Sequence, residues 1–239
     1  MNIKRKVRVL IVAPAEPLVG GQAVQAKRLI GKFEREESLE VGFLPINPSF
    51  FPRLHRIKYL RTILTSIRYL ISLLASIPRY EVIHVFSASF TSFLLAPAPA
   101  ILISKLFRKK VVLNYRSGYA AEHLSRSPRT AISLIRLCDT VITPSGYLVD
   151  VFAKFGIKAQ SVFNFVATDK FRFRRRKPLQ PTFLSNRNFE DLYNVACTIR
   201  AFGEIQKEIP GASLIVSGGG SLEGELKTLV KEKEINNVE

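Results

Sequence analysis

The residues best suited to chemistry in this 239-residue chain stand just after short apolar runs. Ser213 to Ser217 leads into Gly218-Gly219-Gly220-Ser221, and Thr182 to Ser185 leads toward Arg187 and Glu190. In a doubly wound α/β arrangement ligands sit beyond the carboxyl ends of the strands, and that end would carry Arg187, Glu190 and the three glycines. Nearer the start, Gly20-Gly21 precedes the helical pattern Gln22 to Phe33. The free amides of that helix start suit a phosphate or a sugar hydroxyl, and a plain turn explains the glycine pair equally well. The run Lys109 to Tyr115 delivers Arg116-Ser117-Gly118 to its end. Arg116 could hold a phosphate or a carboxylate by a bidentate contact but cannot serve as a general base; a surface arginine beside a turn is the alternative. Three histidines and the two cysteines, Cys138 and Cys197, show no metal-ligand or Cys-x-x-Cys spacing. They point to two buried or free thiols in a reducing compartment and to no metal site.

The elements that must position these residues alternate. Val7 to Ala13, Glu40 to Ile46, Glu81 to Ser87 and Lys109 to Tyr115 read as strands. The segment Met1 to Lys6 is basic and superficially like the start of a signal peptide, but the apolar run after it is short and Pro14, Glu16 and Pro17 stand where a cleavage site belongs. Between Glu81 and Lys105 there is no formal charge. That run is long enough to ask about a bilayer span, but Ser87, Ser89, Thr91, Ser92, His84, Pro97 and Pro99 favour a buried strand followed by a helix, Phe90 to Phe107. Near the end, Thr182 to Ser185, Val195 to Ile209, Ser213 to Ser217 and Leu222 to Lys233 repeat the order strand, helix, strand, helix. Parallel strands with crossover helices predict an α/β fold of Rossmann-like domains with ligands beyond the carboxyl ends of the strands. The length allows one or two domains, and 47% hydrophobic residues are ample for a core. Arg172, Arg174, Arg175, Arg176, Lys177, Pro178 and Pro181 cannot form a buried element. The expected layout is a first domain over 1–168, a basic linker over 169–181 and a partial second domain over 182–239.

Charge is uneven along the chain. Residues 1–179 hold 30 Lys and Arg against 10 Asp and Glu, whereas residues 180–239 hold 6 against 9. In the predicted helix Ile57 to Ile77, apolar residues recur at 57, 60, 64, 67, 71 and 74, with a second row at 63, 70 and 77, and Lys58, Arg61, Thr65, Arg68 and Ser72 fall between them. Such a helix either packs on a core with a solvated face or lies on an anionic membrane surface. Nucleic-acid binding would want a recognisable module with basic and aromatic residues interleaved, and none is visible, so no nucleic-acid partner is expected.

The ordered set Ser185-Asn186-Arg187-Asn188, Ile199-Arg200-Ala201-Phe202, Pro210-Gly211-Ala212 and Leu214 to Gly220 resembles the opening of the nucleotide-sugar domain of GT-B glycosyltransferases of family four. In the first half, Cys138 to Ser145 resembles the family's strand in which an acidic residue precedes an apolar run ending in a Ser at the cleft. Val162 to Val166 with Phe171 resembles its Asn-Gly-Val-Asp stretch, keeping Asn164 but with Phe165 for Gly and Ala167 for Asp.

The resemblance implies a GT-B architecture, with an acceptor-side first domain carrying Gly20, Gly21, Arg116, Ser145 and Asn164 toward the cleft. The donor side would use Arg187, Glu190, Gly218, Gly219 and Gly220. It implies transfer of a sugar from a nucleoside diphosphate sugar, usually with retention and with no cofactor or metal. The basic charge and the amphipathic helix add the expectation of a lipid-linked or surface polysaccharide acceptor, with the protein in the cytoplasm at the inner face of the membrane. Family members often place a histidine near Arg116; here His123 lies seven residues on. A family Lys a few residues after the Arg has Leu192 and Tyr193 in its place. Arg187 then either contacts donor phosphate or pairs with Glu190 or Asp191. In the family the second domain continues past this point and supplies a glutamate pair, so the expectation is a fragment, inactive alone, whose second sheet has two strands with both edges unpaired. A non-catalytic fragment and another Rossmann-type nucleotide-binding protein are the competing readings. Against the latter, no Gly-x-Gly-x-x-Gly follows the first strand.

Overall fold

The structure, a computed structural model, describes residues 5–15, 20–47, 58–175 and 177–239, with the side chains of 58–61 excepted. Glu16, Pro17, Pro48, Pro52, Ile57 and Arg176 therefore lie outside the described residues. The chain divides into two compact units, Met1–Ala167 and Thr168–Glu239.

In the first unit β1 (Val7–Ala13), α1 (Gly21–Phe33), β2 (Leu39–Pro45), α2 (Lys58–Ser76), β3 (Val82–Ser87), α3 (Phe90–Leu95), α4 (Pro97–Leu106) and β4 (Lys110–Tyr115) follow in order. Then come α5 (Ala120–Arg126), α6 (Ser133–Arg136), β5 (Thr140–Thr143), α7 (Gly146–Lys154) and the short β6 (Gln160–Ser161). The strands form one parallel sheet in the order β2-β1-β3-β4-β5-β6. After β2 the chain crosses back over β1, and the right-handed sense of such crossovers sends the later helices to the opposite face from α1. Side-chain alternation agrees. Leu10, Val12, Ile83, Val85, Val111 and Leu113 point to the core shared with α2 through α7, and Val9, Ile11, Ala13 and Phe86 to the core under α1. Strands buried on both faces explain why Val7 to Ala13 reads as a continuous apolar run.

Two elements differ from the sequence reading. The single helix expected over Phe90 to Phe107 is two helices, because Pro97 lacks an N–H and pushes Ala96 off the helical conformation, to φ −125°. The other is the facing of α2. Its buried side chains are Tyr69 and Leu73, followed by Ile77 just past its end, and Tyr69 Oη donates to the Ala96 carbonyl at 2.9 Å. Ile67, Ile71 and Leu74, which the 3,4 pattern marked as the apolar row, are exposed. Among the described residues no helix is long and apolar enough to cross a membrane.

In the second unit β7 (Thr182–Asn186) pairs in parallel with β8 (Ser213–Ser217), and α8 (Val195–Glu208) and α9 (Glu223–Glu232) complete the expected alternation. Its own core gathers Phe189, Val195, Ile199, Phe202, Ala212, Leu214, Leu226 and Ile235. Val238 bridges in parallel to Leu214, with Leu214 N donating to Asn237 O at 2.9 Å and Val216 N to Glu239 O at 2.7 Å. β8 therefore has a neighbour on each side, which corrects the expectation of two unpaired edges. Residues 171–175 and 177–181 carry no helix or strand, and those from 171 to 175 are all exposed.

Candidate functional site

Because all six strands of the first unit are parallel, their carboxyl ends share one edge, and the polar residues singled out in the sequence collect there. Gly20 is the N-cap of α1, and the first-turn amides of Gly21, Gln22 and Ala23 precede the first helical bond, Val24 N to Gly20 O at 3.2 Å. No neighbour crowds Gly20 or Gly21, so packing does not demand glycine at either position. Gln22 Nε2 donates to Ser87 O at 3.4 Å, and the same carbonyl accepts from Arg116 N at 3.0 Å. The α1 start, the end of β3 and the end of β4 are thereby tied together.

Arg116 is the best-fixed side chain of this edge. Its Nη1 donates to Asn114 Oδ1 at 3.2 Å, its Nη2 donates to Asn164 Oδ1, and its guanidinium lies 5.4 Å over the Phe86 ring. Among the described residues no carboxylate pairs with it. Asn164 accepts from Arg116 across 48 positions of sequence. Because arginine only donates, Asn114 must turn its oxygen toward Arg116 and its amide toward His84 Nε2, 3.1 Å away. His84 Nε2 is then an acceptor, which assigns the proton to Nδ1. Burial, followed by the Arg116 charge, pushes its pKa down to about 4. Arg28 Nη1 and Gln25 Nε2 both donate to Phe165 O, at 2.9 and 3.3 Å. Gln25 Oε1 is buried without a hydrogen-bond partner among the described residues.

Two further residues named with the resemblance have partners inside the first unit. His123 is nearly fully buried, with Nδ1 at 2.9 Å from Tyr115 Oη and its ring edge-on to Phe90 and Phe93. It is part of the core under α5, and burial lowers its pKa. Ser145 is at the carboxyl edge, where its Oγ caps α7 by accepting from Leu148 N at 3.4 Å. Asp139, the acidic residue before β5, lies at the opposite edge. Burial alone would push its pKa up, but Lys105, the Val111 N–H at 2.9 Å and Lys110 at 2.9 Å hold it well below the usual carboxylate range.

In the second unit the exits of β7 and β8 are zipped together. Phe189 N donates to Gly219 O and Leu222 N to Phe189 O, each at 3.0 Å. A Cβ on Gly218 would sit 2.1 Å from Arg187 O, and one on Gly220 2.5 Å from Phe189 O, so backbone approach requires glycine at both. Glu190 accepts from Ser221 N at 3.1 Å and from Ser221 Oγ at 2.8 Å, which lowers its pKa. It clasps the glycine loop and makes no ion pair with Arg187. The Arg187 guanidinium is exposed, 5.9 Å over the Tyr193 ring, with no carboxylate partner among the described residues. The structure thus brings Arg116 with Asn164, and Arg187 and Glu190 with the three glycines. Sequence reasoning missed Asn114, His84 and Ser221; only the position of Asn114 near a strand end hinted at the first. A cavity of about 320 Å³ between α9 and β8, lined by Leu226, Val230 and Val238, contains neither Arg187 nor the glycines.

The fold is that of known GT-B proteins. The structure resembles the apo form of the lipopolysaccharide outer core galactosyltransferase WaaB, with TM-score 0.62 and 15% identity over 98% of this chain and 67% of that one. It also resembles a putative UDP-N-acetylglucosamine 2-epimerase from Listeria monocytogenes, with TM-score 0.54 and 12% identity over 98% of this chain and 68% of the other. TarM matches with TM-score 0.52 and 13% identity over 73% of this chain and 34% of its own. No curated protein matches the chain. The family model Glycosyltransferase Family 4 matches residues 3–170, which is most of the chain and takes in every residue gathered at the first sheet edge. The chain belongs to glycosyltransferase family 4.

Proposed function

We propose that the protein transfers a sugar from a nucleoside diphosphate sugar to a glycan or lipid-linked acceptor at an anionic membrane surface, with retention of configuration and without a metal. The observation that carries this reading is a pair of guanidiniums, Arg116 and Arg187, each at the carboxyl edge of a parallel sheet and each free of any carboxylate among the described residues. Cations so placed are suited to phosphate oxygens, which bind them bidentately.

In the transfer, the bond from the anomeric carbon to the diphosphate oxygen breaks and a bond to the acceptor oxygen forms. The acceptor hydroxyl proton leaves with the nucleoside diphosphate. Negative charge develops on the departing phosphate, and Arg187 with the amides of the Gly218–Ser221 loop is the group we assign to it. Glu190 acts on that loop by holding Ser221 and is a positioning residue. Arg116, which cannot be the base, is assigned to an anionic group of the acceptor. The name of WaaB, a galactosyltransferase of the lipopolysaccharide outer core, supports a glycan acceptor.

Titration calorimetry with UDP and then GDP tests the donor half of this reading. One of the two should bind, and Arg187→Gln should weaken it at least about tenfold, the loss of one charge-assisted contact. Arg116→Gln should leave nucleotide affinity unchanged. Equal affinity in Arg187→Gln, or no binding of either nucleotide, would remove the assignment.

A further inference from the structure

The outer layer of the first unit carries an apolar surface that no part of the described chain covers. On α2, Ile63, Ile67, Leu70, Ile71 and Leu74 are between 39% and 61% exposed, while Tyr69 and Leu73, on the opposite side of the same helix, are buried. The exposed set follows the 3,4 spacing of one helix face from Ile63 to Leu74, about 17 Å at 1.5 Å per residue. α4 packs beside α2 on the same side of the sheet, and its Leu102 and Leu106, four residues apart, are exposed, as is Leu95 at the end of α3. Two neighbouring helices therefore turn aliphatic stripes outward. A core helix normally solvates its polar face, and an exposed contiguous apolar patch marks an interaction surface.

Charge identifies the occupant. Between residues 41 and 121 the chain has 11 Lys and Arg and one acidic residue, Glu81. Glu81 itself is engaged by Arg5 and Arg8. Arg68, Arg79 and Arg108, on or beside these two helices, are exposed. We infer that the α2–α4 face is the docking surface for an anionic lipid bilayer, with the aliphatic stripes entering the headgroup boundary and the basic side chains meeting lipid phosphates. A second copy of the chain is a poorer fit, because apposing two such faces would bring like charges together on a protein of net charge +17. The helices lie in the plane of the surface and do not cross it, as neither α2 nor α4 is apolar and long enough to span. Helices that follow parallel strands run back along them, so the α2 start lies at the carboxyl edge that holds Arg116. This deepens the membrane part of the proposed function. It is tested without nucleotide or glycan, so its failure and that of the donor reading are distinguishable.

The chain contains no tryptophan, so one introduced at the surface is a clean reporter. Ile71→Trp should shift its emission to the blue on phosphatidylcholine vesicles containing about a third phosphatidylglycerol. The shift should be reversed by salt and absent with phosphatidylcholine alone. Val24→Trp, on α1 at the other face of the sheet, should not shift. In flotation, Ile67→Ser with Ile71→Ser should lose about tenfold or more of the binding to the anionic vesicles. Equal shifts on neutral and anionic vesicles, a shift at Val24→Trp equal to that at Ile71→Trp, or no shift at all would overturn the inference. So would a concentration-dependent blue shift of Ile71→Trp without lipid accompanied by a dimer in sedimentation, since the face would then be covered by a second copy.

Discussion

At the residue scale the first sheet edge is a relay of enforced orientations. Arg116 fixes Asn114, Asn114 fixes the tautomer of His84, and His84 stays neutral because it is buried. An unfolded histidine titrates near pH 6.5, whereas His84 resists protonation until about 4. Between those values the unfolded chain binds the extra proton, so stability should fall as pH drops through that window, by about 3 kcal/mol at its lower end. Denaturant titrations across the window should show this, and His84→Gln should flatten it. Glu81 and Asp139, whose pKa values are lowered, contribute stability that is lost only at more acidic pH, below their unfolded values of about 4. An unchanged pH slope in His84→Gln would contradict the relay. In the second unit, Gly218→Ala should cost roughly 1 to 3 kcal/mol, since the Arg187 carbonyl occupies the space of the new methyl group. The thermal transition of that unit, followed by exchange at Phe202 and Leu214, reads the loss. Arg116 was legible in the sequence because it stands directly after the apolar run of a strand. Its tether to Asn164 was not, since 48 residues separate them and no local pattern encodes the contact.

At the element scale, nearly every strand was legible, because buried parallel strands read as unbroken apolar runs bounded by turns. Val7–Ala13 and Ser213–Ser217 coincide with their expected limits. The helix faces were harder. In α2 apolar residues occupy both sides, so the 3,4 periodicity identifies a helix without saying which stripe meets the sheet. The packing partner decides, and Tyr69 wins the buried side by reaching the Ala96 carbonyl. Consequently Leu73→Ala should destabilise the protein by about 2 to 5 kcal/mol, whereas Ile71→Ala should stay within about 0.5. Comparable losses in chemical denaturation at both positions would mean that α2 is rotated from the facing described. The short helices α5 and α6, joined by a π-helical turn over Pro128–Ile132, carried no readable period because each is too brief to show one.

At the scale of the whole molecule, two units each close a core of their own, and the basic exposed stretch between their elements is the easiest backbone to reach. Limited trypsin digestion should cut first between Arg172 and Lys177 and leave a resistant amino-terminal piece. Early cleavage inside β1 or β4 would speak against that division. The second core, with β8 flanked on both sides, gives the carboxyl-terminal piece more local order than a bare two-stranded sheet. We propose that this second unit receives a nucleoside diphosphate between the β7 exit, with Arg187, and the Gly218–Ser221 loop. Hydrogen exchange with and without UDP or GDP tests it most directly. The account predicts slowed exchange at 187–190 and 218–222 with one of the two nucleotides, and unchanged exchange along β1. Protection confined to other segments, or none with either nucleotide, would contradict it.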